Sequence, residues 1–252
     1  MARDLTVEAM TVHVHEDGHA LAVAAAGEAA GVLRDALGTR GAANAMFASG
    51  NSQLDFLDVL TRLPDIDWSR ITGFHMDEYC GIDGDHPASF RRYMRERIVD
   101  RVHPREFHEI RGDTGDPAAE CERYAGLLRE YPLDLCCLGV GENGHLAFND
   151  PPVADFDDPL DVKVVELDDA CRRQQVGEGH FASVHDVPRQ AVTVTIPALL
   201  RARRVLAVVP EARKREPVER ALNGPVATAC PASILRTRAN VTLHLDRASA
   251  GR

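Results

Sequence analysis

The stretch Leu133-Asp134-Leu135-Cys136-Cys137-Leu138-Gly139-Val140 runs straight into Gly141-Glu142-Asn143-Gly144-His145-Leu146-Ala147-Phe148-Asn149-Asp150. A near-continuous apolar run of this length reads as a strand buried on both faces, which is the signature of a parallel sheet. The glycine-punctuated loop after it carries a histidine with amide and acid groups around it. In an open parallel sheet, ligands bind just beyond the carboxyl ends of the strands, where such loops lie. A second run, Ile71-Thr72-Gly73-Phe74-His75-Met76, ends in the same way in Asp77-Glu78-Tyr79. Two strand ends bearing acid/base side chains point to an active site.

Outward from these two strands, the chain alternates between strand-like and helix-like segments. Ala20 to Leu37 is alanine-rich and helical in character, with Gly38 as its expected stop. Ala43 to Ala48 reads as a short buried strand, and Gln53 to Leu63 as an apolar-periodic helix. Helical spacing recurs at Ser89 to Val102, Pro117 to Tyr131 and Glu211 to Leu222, with a short helix after Pro231. Asp161 to Leu167, Ala191 to Ile196, Val205 to Val209 and Val241 to Leu245 are rich in β-branched residues and leucine, so they are expected strands. This order predicts a single α/β domain over residues 1–252, with a mainly parallel central sheet and helices on both faces, a modified doubly wound fold. The longest irregular segment, Asp150 to Pro159, follows the histidine loop and reads either as a mobile lid or as a surface connection.

Bulk properties narrow the function. The 252 residues are 44% hydrophobic and 27% charged, an ordinary globular mixture. A formal charge of −10 argues against broad nucleic-acid binding, which needs a basic face. No apolar run approaches the ~20 residues of a membrane span. Met1 to Glu8 lacks a signal-peptide core, so a cytoplasmic protein without a membrane partner is expected. The six cysteines form no Cys-x-x-Cys pair and read as small buried hydrophobes in a reducing compartment. Cys136 and Cys137 should point to opposite faces of their strand.

Several residues have chemistry to offer. Ser49-Gly50-Asn51-Ser52 lies between a strand and a helix, where backbone N–H groups and the helix dipole can face an anion. The same residues could equally form a glycine turn that caps the helix. Asp77 and Glu78 are adjacent, so only one is expected to face a ligand. That one can act as a base if a partly dry pocket raises its pKa; the alternative is a loop acid capping a helix. His145 suits proton transfer, with its tautomer fixed by neighbours. His13 and His15 share a strand face at passable metal-ligand spacing, with His19 nearby. No cysteine or third acidic ligand is tied to them, and an exposed edge strand carrying histidines is the reading preferred here.

Met76-Asp77-Glu78-Tyr79, His86-Pro87-Ala88-Ser89-Phe90 and Gly141 to Asn149, in that order, resemble the glucosamine-6-phosphate deaminase/isomerase family, which shares its fold with the 6-phosphogluconolactonases. The resemblance runs from about Ala43 to Leu245. It implies conversion of glucosamine 6-phosphate and water to fructose 6-phosphate and ammonia, with no metal or organic cofactor. It assigns the base to Asp77 and ring opening to His145. The family's acidic partners of that histidine fall at Asn143, which cannot supply charge, and at Asp150, which keeps it on a shorter arm. The family's phosphate loop, usually Thr-Gly-Gly-Thr-Pro, becomes Ser49-Gly50-Asn51-Ser52-Gln53, and its phosphate-binding lysine aligns with Lys214; without the alignment, Lys214 is one of a cluster of surface cations with Arg213 and Arg215. The family's phosphate-contacting arginine has no clear counterpart near Arg172-Arg173-Gln174-Gln175. Members range from monomers to hexamers, so a homo-oligomer is one expected state. A lactonase would show Asp-Glu-Arg at Asp77-Glu78-Tyr79 and a His-Thr-Ala-Ser type run at His145-Leu146-Ala147-Phe148, and both differences favour the deaminase. Galactosamine 6-phosphate as substrate, or a non-catalytic sugar-phosphate sensor that kept the pocket, are the remaining readings.

Overall fold

The computed structural model describes residues 3–251. The elements run in the order β1 (Arg3–Val7), β2 (Met10–His15), α1 (Gly18–Arg40), β3 (Ala43–Phe47), α2 (Leu54–Arg62), β4 (Ile71–His75) and β5 (Asp77–Tyr79). Then come α3 (Phe90–Met94), a π-helical turn (Arg95–Val99), α4 (Asp100–Val102), β6 (Glu106–His108), α5 (Pro117–Glu130) and β7 (Leu135–Leu138). The chain continues through β8 (Val162–Glu166), α6 (Asp169–Gly177), β9 (Gln190–Val194), α7 (Ile196–Leu200), β10 (Arg204–Val209), α8 (Arg215–Asn223) and β11 (Val241–Asp246). Among the described residues, eight strands form one sheet in the order β1-β2-β11-β10-β7-β3-β4-β6. Every pair in it is parallel except β1 with β2.

The expected α/β architecture is therefore present, with a correction. Asp161 to Leu167 and Ala191 to Ile196 do supply strands, but β8 and β9 pair antiparallel with each other, and β9 with β5, in a separate three-stranded sheet. A β-branched run identifies a strand without naming its partner, and these partners lie far apart in sequence.

Both faces of the large sheet are buried. Cys137 belongs with the core under α1 and α2, and Cys136 with the opposite core under α5, α7 and α8, as the alternation of a strand requires. All six cysteines are free. The first helix runs past Gly38 to Arg40, because its apolar stripe from Leu21 to Leu37 is packed along its whole length. Gly41 ends the helix instead, at φ +79°, with its N–H donated to the Leu37 carbonyl. The histidine strand β2 is also not an edge, because it sits between β1 and β11.

Four neighbouring strands, β10, β7, β3 and β4, end at the same side of the sheet. Chain order runs outward from the β7–β3 boundary as β3-β4-β6 on one side and β7-β10-β11 on the other, so the crevice beyond that boundary is where such sheets bind ligands.

Candidate active site

A cleft of about 550 Å³ opens at this boundary. Each of the four strands contributes one piece of its wall: Lys214 after β10, His145 after β7, Ser49, Gly50 and Ser52 after β3, and Asp77 after β4. Gly50 holds φ +111° and ψ 165°, a conformation essentially closed to residues with a Cβ, and so turns the chain from β3 into the next helix. Asn51 does not reach the cleft wall. Its amide donates to the Glu178 carbonyl at 3.2 Å and ties the loop to the end of α6.

Asp77 and Glu78 divide as their adjacency on a strand dictates. Glu78 is fully buried and accepts hydrogen bonds from the Ser89 hydroxyl and from the N–H groups of Tyr79, Phe90 and Arg91, so it caps the start of α3. Asp77 faces the cleft, and its Oδ1 is buried without a hydrogen-bond partner. Burial, reinforced by the Glu78 charge, pushes the Asp77 carboxyl well above the usual carboxylate range. Such a group is a stronger base than a solvated aspartate and already lacks the hydration it would otherwise lose on meeting a substrate.

The His145 ring is held from behind. Its Nδ1 lies 2.7 Å from Asp150 Oδ1, which leaves Nε2 for the cleft. Asp150 is fully buried; burial alone would raise its pKa, but the His145 charge and the hydrogen bonds from His145 and Asn143 hold it below the usual value. Asn143 does not touch the ring. It donates to Asp150 Oδ1 at 2.9 Å and accepts the His145 backbone N–H at 2.9 Å, so it orients the histidine through Asp150 and the main chain. Gly141 makes room for the ring, since a Cβ there would come within 2.2 Å of His145 Nε2. Cys171 stands beside the pair, and its ligand atom, His145's and Asp150's lie within 4.8 Å of one another. In this arrangement Asp150 Oδ1 is occupied by His145 and Asn143, and burial pushes the Cys171 thiol up.

Lys214 is 3% exposed and lines the cleft. The ion pairs with Glu142, Glu178 and Glu211 are made by Arg213 next to it. Burial lowers the Lys214 pKa, which Glu178 opposes.

Beside apolar residues such as Met76, Phe90 and Phe148, further polar wall comes from Gln174, Gln175 and Glu178 at the end of α6. The sequence offered no motif for them. Glu178 stays ionised: burial works against it, but hydrogen bonds from His180 and Gln174, with the charges of Lys214 and Arg213, lower its pKa to about 2. Arg172 turns away and donates to the Val184 and Val187 carbonyls. The Asp150 to Pro159 segment forms none of the wall; its start is turned on the Asp150 carbonyl and its end is fixed by an Asp158–Lys163 pair at 2.8 Å. It is a packed connection.

A doubly wound sheet whose cleft joins a buried carboxylate and a carboxylate-backed histidine is the arrangement of an acid/base enzyme. Residues 16–244 match the family model described as glucosamine-6-phosphate isomerases/6-phosphogluconolactonase. A glucosamine-6-phosphate deaminase of Exiguobacterium sibiricum is 36% identical over 205 residues, covering 81% of this chain and 78% of that protein. One from Streptococcus pneumoniae is 34% identical over 217 residues, covering 85% and 89%. Among solved structures, a monomeric glucosamine-6-phosphate deaminase superposes with a TM-score of 0.87 at 29% identity over 95% of this chain and 98% of the other. A 6-phosphogluconolactonase from Shewanella baltica shares the fold, with a TM-score of 0.76 at 20% identity over 96% and 97%. The chain belongs to the glucosamine-6-phosphate isomerase/6-phosphogluconolactonase family.

Proposed function

We propose that this protein is a glucosamine-6-phosphate deaminase, converting the aminosugar phosphate and water to fructose 6-phosphate and ammonia. The observation that carries the reading is the unpartnered Asp77 oxygen in a cleft that also holds a carboxylate-backed histidine and a buried lysine. His145, through Nε2, takes the O1 proton and passes it to the ring oxygen, and the aldehyde form opens. Asp77 then moves the C2 proton to C1 while the amino group gives up a proton and the aldehyde oxygen O1 gains one, so that C1 becomes CH2OH and C2 an imine. Water adds to that carbon and ammonia leaves. The N–H groups and hydroxyls of Ser49, Gly50 and Ser52, with Lys214, hold the phosphate at the other end of the cleft.

The lactonase reading is weakened by Tyr79. Where lactonases of the family carry arginine, this residue buries its ring and donates its hydroxyl to Gln175 at 2.6 Å, so no cation is supplied there. The free cysteines support a cytoplasmic location. Among the described residues, no helix is long and apolar enough to cross a membrane. Ammonia release should follow addition of glucosamine 6-phosphate. Release only from galactosamine 6-phosphate would change the epimer, hydrolysis of 6-phosphogluconolactone without ammonia would establish the lactonase, and binding without turnover would leave a sensor.

A further inference from the structure

The histidines of β2 do have a third partner, but it is not His19, which is exposed on α1. It is His244 on β11, the register neighbour of His13 across the parallel β2–β11 pair. The ring centres of His13 and His15 each lie 5.3 Å from that of His244, and 6.3 Å from each other. Three imidazoles on one tetrahedral ion have their ring centres roughly 5 Å apart. None of the three rings lines the cleft.

Two carboxylates fix the outer nitrogens. Asp4 Oδ1 is 2.6 Å from His13 Nδ1, and Glu28 Oε2 is 3.0 Å from His244 Nε2. Each pairing places the ring proton on the outer nitrogen and leaves a lone pair on the inner one, the arrangement that carboxylates impose on metal-bound histidines. His15 Nε2 and His244 Nδ1 already face each other at 3.1 Å. Two nitrogens on one zinc ion stand about 3.3 Å apart, so an ion would take the place of the proton that these two nitrogens now share. His13 is the ring still out of place, because the three donor nitrogens do not yet fall within 4.8 Å of one another. Its side chain is 27% exposed, against 3% for that of His244, so it has access to solvent.

We propose that His13, His15 and His244 form a second site on this protein, one that takes a divalent first-row transition ion with a water molecule as fourth ligand. His15 and His244 are the prearranged pair, and His13 closes over the ion. The site stands on its own geometry and does not depend on the reaction assigned to the cleft.

The test is zinc binding by equilibrium dialysis at pH 7.5 on the full chain without an affinity tag. One equivalent of Zn²⁺ should bind, and saturation should raise the melting temperature. His13→Ala, at a part-exposed position, should weaken binding at least tenfold while leaving the ammonia-releasing activity unchanged. Asp4→Asn, which touches only the outer nitrogen of His13, should weaken it about 10-fold. His145→Ala should leave zinc stoichiometry as it was. The proposal is overturned if the wild type takes up no zinc, if His13→Ala binds as tightly as the wild type, or if binding disappears with His145→Ala.

Discussion

Asp77 carries the sharpest consequences at the scale of single residues. Asp77→Asn keeps the size of the side chain but removes the proton acceptor, so turnover should vanish while sugar-phosphate binding, read by thermal shift, persists. The same substitution should raise the stability of the free protein. With a folded pKa raised above the unfolded value, the wild-type carboxyl costs stability as pH rises from the ordinary aspartate range through the folded pKa. The melting-temperature gap between variant and wild type should therefore widen from pH 5 to pH 8, and equal melting curves throughout would contradict the buried, unpaired state. Lys214→Ala should raise KM for the phosphorylated sugar by roughly 10- to 100-fold, the worth of a charged hydrogen bond, and lower kcat less. Unphosphorylated glucosamine is the comparison, since it should lose nothing. Asn143→Asp has an effect that only the geometry reveals. It would replace a donor to Asp150 by a second carboxylate at the 2.9 Å contact, with Asp168 Oδ2 only 3.4 Å from the same side-chain nitrogen. Charge crowding should favour protonated imidazole at His145, moving the limb of the pH–rate profile that needs the neutral ring to higher pH. It should also lower the melting temperature. A profile and stability both unchanged would mean that Asn143 does not govern Asp150.

Elements differ in how plainly the sequence announced them. Strands β4 and β7 were legible because each is a buried apolar run stopped by a loop of special residues, and the site loops follow directly from that pattern. The second sheet was not legible as a unit. Its member β5 spans three residues, too few for periodicity, and its pairing with β9 joins Asp77 to Thr193 across more than a hundred positions. The same distance hid His244 from any reading that looked for a third ligand near His13 and His15. Helix α6 was hidden for a different reason. Its cleft-facing residues Gln174 and Gln175 are polar, and nothing in a polar helix distinguishes the face that meets a ligand from the face that meets water. Gly38 was misread because tertiary packing of α1 outweighs the local preference of a glycine to stop a helix. Gly50 is the opposite case, a glycine whose backbone demands it. Gly50→Ala should cost about 1–3 kcal/mol and distort the loop after β3, so that chemical denaturation and KM for the sugar phosphate both report the change. Normal values of both would show that the loop tolerates a side chain.

The whole molecule should be acid-sensitive. Burial lowers the pKa of His75 to about 3 and that of His15 to about 4. The unfolded chain takes up these protons near the ordinary histidine value while the folded chain refuses them, so stability is kept above that value and falls as pH drops below it. For His75 alone the slope is about 1.4 kcal/mol per pH unit. Glu28 and Glu178, both lowered to about 2, add further loss once pH falls below the ordinary glutamate value. The raised carboxyls of Asp77 and Glu78 act with the opposite sign above the ordinary carboxylate range, so the net fall belongs below it: urea midpoints at pH 4.5, 4 and 3.5 should decrease in that order, and a flat series would contradict these lowered values. One feature of the sheet order bears on how the chain is made. Strand β11, made after both of its neighbours, does not add to an edge but inserts between β10 and β2. At roughly 5–20 residues per second, the interval between synthesis of Val209 and of Asp246 is about 2–7 s. Throughout it, the six-residue strands β2 and β10 present open hydrogen-bonding edges to the cell, a state in which nascent chains are prone to aggregate. The half-made protein thus has a gap in its middle, and its yield in the cell depends on how well that gap is guarded until β11 arrives.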